Sequence, residues 1–207
     1  IIKSYTELIK DITGDNKAKR EEQLDVIIDE AKRLTELVNE ILVVSQQNST
    51  SKLNKTDFDF SELVESVVKK FDFDNSGYNF RRDVKKGLWV NADRHKIEQV
   101  LFNFISNAVK YCGKDKEIII VVKEAGGSAR FDVFDHGNGI SKQEQKYIWD
   151  RFSRASQKYK RGDSTGLGLS IVRSILKSHD AVFGVNSAVG KGSDFYFELP
   201  LVEPPQN

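Results

Sequence analysis

The sequence has no methionine, a single cysteine and no long apolar run. Cys112, being alone, cannot close an internal disulfide, and no group of cysteines and histidines has zinc-site spacing. The longest purely apolar stretch is Ile118-Ile119-Ile120-Val121-Val122, far short of the roughly 20 residues a membrane-spanning helix needs. A signal segment is also absent, but the chain opens on Ile1-Ile2 and reads as cut from something longer. An excess of one charge is missing too. Lys and Arg number 32 against 31 Asp and Glu, so composition gives no push toward nucleic acid or an anionic membrane. What remains is ordinary globular material. With 39% hydrophobic and 30% charged residues in 207, the chain can build one or two domains with a real core.

The first fifty residues differ from the rest. Ile1, Tyr5, Leu8 and Ile12 recur at helical spacing before the turn-like Thr13-Gly14-Asp15-Asn16. Leu24, Ile27, Ala31, Leu34, Val38 and Ile41 then follow in alternating steps of three and four, a heptad seam. The pattern predicts a helical hairpin; a single amphipathic helix on a globular core fits the same residues. Two helices alone bury too little, so a hairpin would be completed as half of a dimeric four-helix bundle through residues 1–46. The polar, Ser/Asn-rich stretch from Gln46 to Lys55 reads as a linker, giving domains 1–50 and 51–207.

The second domain reads as α+β. Asp59-Phe60-Ser61-Glu62 is a capping box opening a helix over Leu63–Phe71. Alternation predicts strands over Tyr78–Val84, Leu88–Val90, Val182–Asn186 and Phe195–Leu199, with a hairpin of Glu117–Lys123 and Ala129–Asp135 around Gly126-Gly127. Helices are expected over Asp93–Tyr111, Lys142–Arg151 and Leu167–Ser178. The order predicts an α/β sandwich: a mixed sheet covered by helices on one face.

Three constellations carry chemistry. On the helix from Asp93, Ile97, Val100, Leu101, Phe104, Ile105 and Ala108 share a core face, while Gln99, Asn103, Asn107 and Lys110 share its neighbour. That polar face offers neutral carbonyl oxygens to hydrated Mg²⁺ and an ammonium to phosphate, or is simply solvated. Asp135-His136-Gly137-Asn138-Gly139 follows a strand directly. Its Asp can accept from an exocyclic amine, and its glycines permit close approach or positive φ; a plain glycine-rich turn is the other reading. Gly162 to Leu169 runs into a helix whose free N–H groups suit an anion. It is neither a P-loop nor a dinucleotide fingerprint.

Taken in order, these segments resemble the boxes of two-component sensor histidine kinases, with their GHKL-type (Bergerat) ATP-binding domain. Asn103 to Tyr111 resembles the N box, Asp135 to Gly139 the G1 box, Ile148 to Arg154 the F box and Thr165 to Leu169 the G2 box. Gly190-Lys191-Gly192-Ser193 with Phe195-Tyr196-Phe197 is similar to the closing strand pair. Residues 1–50 resemble the dimerisation helices.

The resemblance implies ATP and Mg²⁺ as cofactors. Asn107 would ligate the metal, supported by Asn103, and Lys110 would contact phosphate. Tyr111 would lie against adenine, Asp135 would read its amine, and Gly137 and Gly139 would shape that wall. Thr165, Gly166, Leu167, Gly168 and Leu169 would end a mobile lid docked by Phe152, with Arg154 reaching the γ-phosphate. Asn103, Lys110 and Arg154 form the expected catalytic set. Partners would be a second copy of the chain and a response-regulator receiver domain, without nucleic acid or membrane contact by this segment. The segment would be cytoplasmic, in a parent anchored in a bacterial membrane.

Gyrase-type and MutL-type relatives place a general-base Glu where this chain has Asn103, which takes no proton at neutral pH. The pocket is therefore expected to hold and present ATP, with the acceptor supplying its own base. None of His95, His136 and His179 has the acidic neighbour of an acceptor site, so the chain alone is expected not to autophosphorylate. Gln46-Gln47-Asn48-Ser49 departs from the family's usual Leu-Glu-Ser-Gly-like stretch. The rivals are a GHKL ATPase, an anti-sigma-type serine kinase, and a degenerate module that only dimerises.

Overall fold

The computed structural model describes residues 2–11, 16–28, 30, 53–74, 77–150 and 167–205. The chain divides into two compact units, Ile1–Ser51 and Lys52–Asn207. In the first, helix α1 (Ile2–Asp11) precedes α2, described over 17–28. Asn16 caps α2: its Oδ1 accepts from the Lys19 N–H at 3.1 Å and its carbonyl from the Arg20 N–H at 3.0 Å. Leu24 and Ile28 of α2 are 43% and 48% exposed in the single chain. Ala31, Leu34, Val38 and Ile41 of the expected seam lie outside the described residues, as does most of the expected linker.

The second unit runs β1 (Thr56–Asp59), α3 (Phe60–Asp74), β2 (Asn79–Val84), β3 (Trp89–Ala92), α4 (Arg94–Tyr111), β4 (Glu117–Ala125), β5 (Ser128–Asp135), α5 (Gly168–Ser178), β6 (Val182–Ser187) and β7 (Ser193–Pro200). Five strands form a mixed sheet ordered β2-β4-β5-β7-β6, in which β2 and β4 are parallel and the other pairs antiparallel. This is the expected α+β architecture. Period-2 alternation decides which side is core: Ile118, Ile120, Phe131, Val133, Phe195 and Phe197 are buried. Against them lies the apolar face of α4, with the Phe104 ring 5.4 Å from Phe195 and 6.2 Å from Phe197. Phe60 of α3 stands edge-on to Phe197 at 5.8 Å. The β4–β5 turn is the expected one, with Gly126 at φ 57° and Gly127 at φ 81°.

The opposite face of the sheet is polar and held by charge. Arg130 stacks 4.0 Å from the Tyr196 ring and pairs with Asp132 at 2.7 Å and Glu198 at 2.9 Å. Burial of Asp132 is tolerated because Arg130 and Lys123, the latter at 3.7 Å, both face it.

Two expectations are corrected, and one strand is additional to them. Residues 56–59, just after the expected linker, form strand β1, paired antiparallel with β3 from Thr56↔Ala92 to Asp59↔Trp89. The Asp59 cap is real, accepting from the Ser61 and Glu62 N–H groups at 2.8 and 3.2 Å, but α3 starts at Phe60 and runs to Asp74. The helix expected over Lys142–Arg151 is a single 3₁₀ turn, Glu144–Lys146. Its cap is sound: Ser141 and Glu144 exchange bonds at 3.0 and 3.3 Å. What stops propagation is tertiary. Trp149 packs among Phe183, Phe195 and Phe104 at 5.1, 6.0 and 6.3 Å, and Ile148 is buried beside it.

Candidate nucleotide-binding site

Asp135 ends β5, opposite Ile118 on one side and Ser193 on the other. It is buried, and its Oδ1 accepts from the Gly137 N–H at 2.8 Å. Burial pushes its carboxyl above the ordinary carboxylate value; the N–H groups of Gly137 and Ser193 and the nearby His136 oppose the shift. A buried carboxylate at the end of a central strand is held at some cost to stability.

The glycines after it serve different ends. At Gly137 a Cβ would fall 2.0 Å from the Tyr111 carbonyl oxygen, so the loop presses on the end of α4. Gly139 has φ 68°, and a Cβ there would fall 1.9 Å from the Ala188 carbonyl oxygen. The sequence leaves either glycine free to admit a flat ring or to take positive φ. The structure gives Gly139 the positive φ and Gly137 a backbone contact with the helix carrying the asparagines.

On α4, the Asn103 Nδ2 donates to the Gln99 carbonyl at 2.8 Å, which turns its Oδ1 outward. That oxygen faces the start of α5: a Cβ on Gly168 would fall 2.7 Å from it. Asn107 lies one turn further on the same face and is half-buried. Lys110 and Tyr111 are exposed, with the Lys110 Nζ 5.8 Å from the Tyr111 ring. Leu167 is buried and Leu169 half-buried at the first turn of α5. The structure thus brings Asn103 to Gly168, and Tyr111 to Gly137 and Asp135. Phe152, Arg154, Thr165 and Gly166 lie outside the described residues.

Several supporting residues went unnoticed in the sequence. Ser187 Oγ accepts from the Ile140 N–H at 2.8 Å and donates to the Gly192 carbonyl at 2.7 Å. The Gln145 amide donates to the Ile140 and Ser187 carbonyls at 2.7 and 2.8 Å. A Cβ on Gly192 (φ 81°) would fall 1.8 Å from the Asp135 carbonyl oxygen. Together they seat the Asp135–Ile140 loop on the β6–β7 turn. Only the Gly-Lys-Gly-Ser stretch hinted at this.

The histidines are placed by local chemistry. His136 turns to Asp115, Nδ1 to Oδ2 at 2.6 Å, and this hydrogen bond holds the Asp115 carboxyl below its ordinary value. His95 is exposed at the start of α4. His179 is buried, which lowers its pKa, and both ring nitrogens are hydrogen-bonded, Nε2 to the Asp93 N–H and Nδ1 to the Ile175 carbonyl.

The family described as histidine kinase-, DNA gyrase B- and HSP90-like ATPases matches residues 92–203, more than half of the chain. The chain belongs to this ATPase family. Among relatives of this ATPase, the histidine-protein kinase ArlS of Staphylococcus epidermidis is 31% identical over 98% of the chain and 45% of its own length. The sensor protein SrrB of Staphylococcus aureus is 33% identical over 98% of the chain and 36% of its own length. The chain therefore spans less than half the length of these curated relatives. The solved histidine kinase ThkA, in complex with the response regulator protein TrrA, is 27% identical over 97% of the chain and 59% of its own, with a TM-score of 0.66. Sequence and fold agree on the ATPase core of a two-component sensor histidine kinase.

Proposed function

We propose that this ATPase core works as a protein-histidine kinase, binding ATP with Mg²⁺ and passing the γ-phosphoryl to a histidine for relay to a response-regulator aspartate. The observation that carries the reading is the buried Asp135 carboxyl, held at a strand end beside the asparagine face of α4 and the glycine start of α5. Asp135 accepts a hydrogen bond from the adenine amine, and Gly137, Gly139 and Tyr111 bound that end. The free N–H groups of the first turn of α5, from Gly168, and the Lys110 ammonium serve the phosphates. Phe152, Arg154, Thr165 and Gly166 join the proposal through their motifs alone.

Mg²⁺ fits the donors present. Asn107 offers a neutral hard oxygen, and Gly168 leaves a cradle that a side chain would fill. Asn107 would hold the ion with Asn103 in support, and the ion would neutralise phosphate charge. The protein's part is positioning and charge stabilisation. Hydrolysis of the gyrase kind is disfavoured: position 103 carries an amide already bonded to the Gln99 carbonyl.

The phosphoryl acceptor is sought outside these residues, because His179 is buried in a structural pair, His136 is engaged by Asp115, and His95 has no acidic neighbour. Residues 1–50 are assigned to dimerisation and 51–207 to catalysis. The exposed Leu24 and Ile28 on α2 support a second copy as partner, and a receiver domain is the second partner. No helix among the described residues is long and apolar enough to cross a membrane; anchoring of the parent is part of the proposal.

The test is calorimetry with a non-hydrolysable ATP analogue, with and without Mg²⁺, on this chain and on Asp135→Ala. Mg²⁺-dependent binding lost in the variant supports the reading, and a chain extended upstream should then phosphorylate a histidine. No binding by the unmodified chain would favour a non-catalytic dimerisation module.

A further inference from the structure

Two helices meet in this site, and the structure pins them at both ends. At one end Gly168 lies against the Asn103 amide. At the other, the Asp93 N–H donates to His179 Nε2 at 3.0 Å, and His179 Nδ1 donates to the Ile175 carbonyl at 2.8 Å. Asp93 is the N-cap of α4 and His179 the C-cap of α5, so the helices run antiparallel. Ten residues separate Asp93 from Asn103 and eleven separate Gly168 from His179, about 15 and 16 Å of helix. The two spans match, so the histidine at one end fixes which α4 residue faces α5 at the other. A slip of one helical turn, about 5.4 Å, would carry Gly168 away from Asn103.

We propose that His179 is a positioning residue for the triphosphate end of the site: its neutral ring sets the register of α5 on α4, and protonating it releases that register. The proposal rests on the nucleotide-binding reading above. The ring works only when neutral, because Nε2 must accept while Nδ1 donates. A proton on Nε2 would set two donors against each other. The charged groups facing the ring are Lys55 ahead of β1 and Asp93 and Lys96 at the start of α4; the carboxylate favours the cation and the two lysines disfavour it. The same Asp93 side chain accepts from the Asn54 N–H at 3.1 Å and the Lys96 N–H at 3.2 Å, which ties the chain entering the second unit to this joint.

The experiment compares the whole chain with His179→Gln, whose amide can accept and donate but does not titrate, and with His179→Phe. Affinities for a triphosphate analogue and for adenosine are measured at pH 7.5 and pH 5.8. Between these values the unmodified chain should lose about fivefold more triphosphate affinity than His179→Gln, the scale of one buried hydrogen bond, while adenosine separates the two proteins little. His179→Phe should already be weakened for the triphosphate analogue at pH 7.5. Equal acid losses in the unmodified chain and His179→Gln would overturn the proposal, as would an adenosine loss equal to the triphosphate loss. Amide exchange in the first turn of α5, measured without nucleotide, separates this outcome from failure of the nucleotide reading. Faster exchange at pH 5.8 in the unmodified chain than in His179→Gln supports the pin even if no nucleotide binds; identical exchange refutes it.

Discussion

At the scale of single residues, the role proposed for Asp135 opposes stability most directly. Its folded carboxyl is raised by burial, so the native state binds a proton more readily than the unfolded chain. The stability tied to that proton is present below the unfolded pKa and is lost as pH rises through the folded one. Asp135→Asn keeps the acceptor for the Gly137 N–H and removes the charge. It should raise the melting temperature at neutral pH, with a gain that shrinks toward pH 4, while weakening ATP-analogue binding about tenfold or more, as expected for a lost charge-assisted bond. Calorimetry and thermal denaturation on the same samples check both halves. Gly137→Ala should do the opposite of a helpful stiffening. Its methyl would meet the Tyr111 carbonyl, at a cost of about 2 kcal/mol by denaturant titration. The Asp135 and glycine pattern was legible in the sequence, because it is written in five consecutive residues. Which glycine serves which contact was not, since Ala188 and Tyr111 come from elsewhere in the chain.

Elements were legible where their information is local. The core face of α4 followed from helical periodicity, and all six expected residues are buried. The Asp59 cap followed from a four-residue signature; Asp59→Ala should cost about 1 kcal/mol, read as a shift in the urea midpoint. The expected helix over 142–151 failed although its cap is present, because the surroundings of Ile148 and Trp149 override local propensity. Strand β1 was absent from the sequence reading for a related reason: Thr56–Asp59 is a strand only by virtue of its partner β3. On the polar face of the sheet, Arg130→Met should leave Asp132 buried with Lys123 as its remaining ion-pair partner among the described residues. The expected loss is about 3 kcal/mol at neutral pH, read by denaturant titration.

At the scale of the whole molecule, ligand binding and assembly give the clearest outcomes. A saturating ATP analogue at about 100 times its dissociation constant should stabilise by about 2.7 kcal/mol, a rise of several degrees in the transition of the second unit. Light scattering should report twice the chain mass, with Leu24→Glu shifting the population toward monomer. A monomer that still binds the analogue would detach the dimer proposal from the nucleotide proposal.

The sequence alone determined the α+β class, the order of boxes and the identity of the asparagines, the aspartate and the glycines, because periodicity, caps and turns act over a few residues. Tertiary structure decided what those groups face. His179 meets Asp93 across 86 positions of chain, and Ser187 meets Ile140 across 47. Such pairings are set by the packing of the entire sheet and its helices. No spacing rule carries them, since only the folded chain brings the two ends of each pair together.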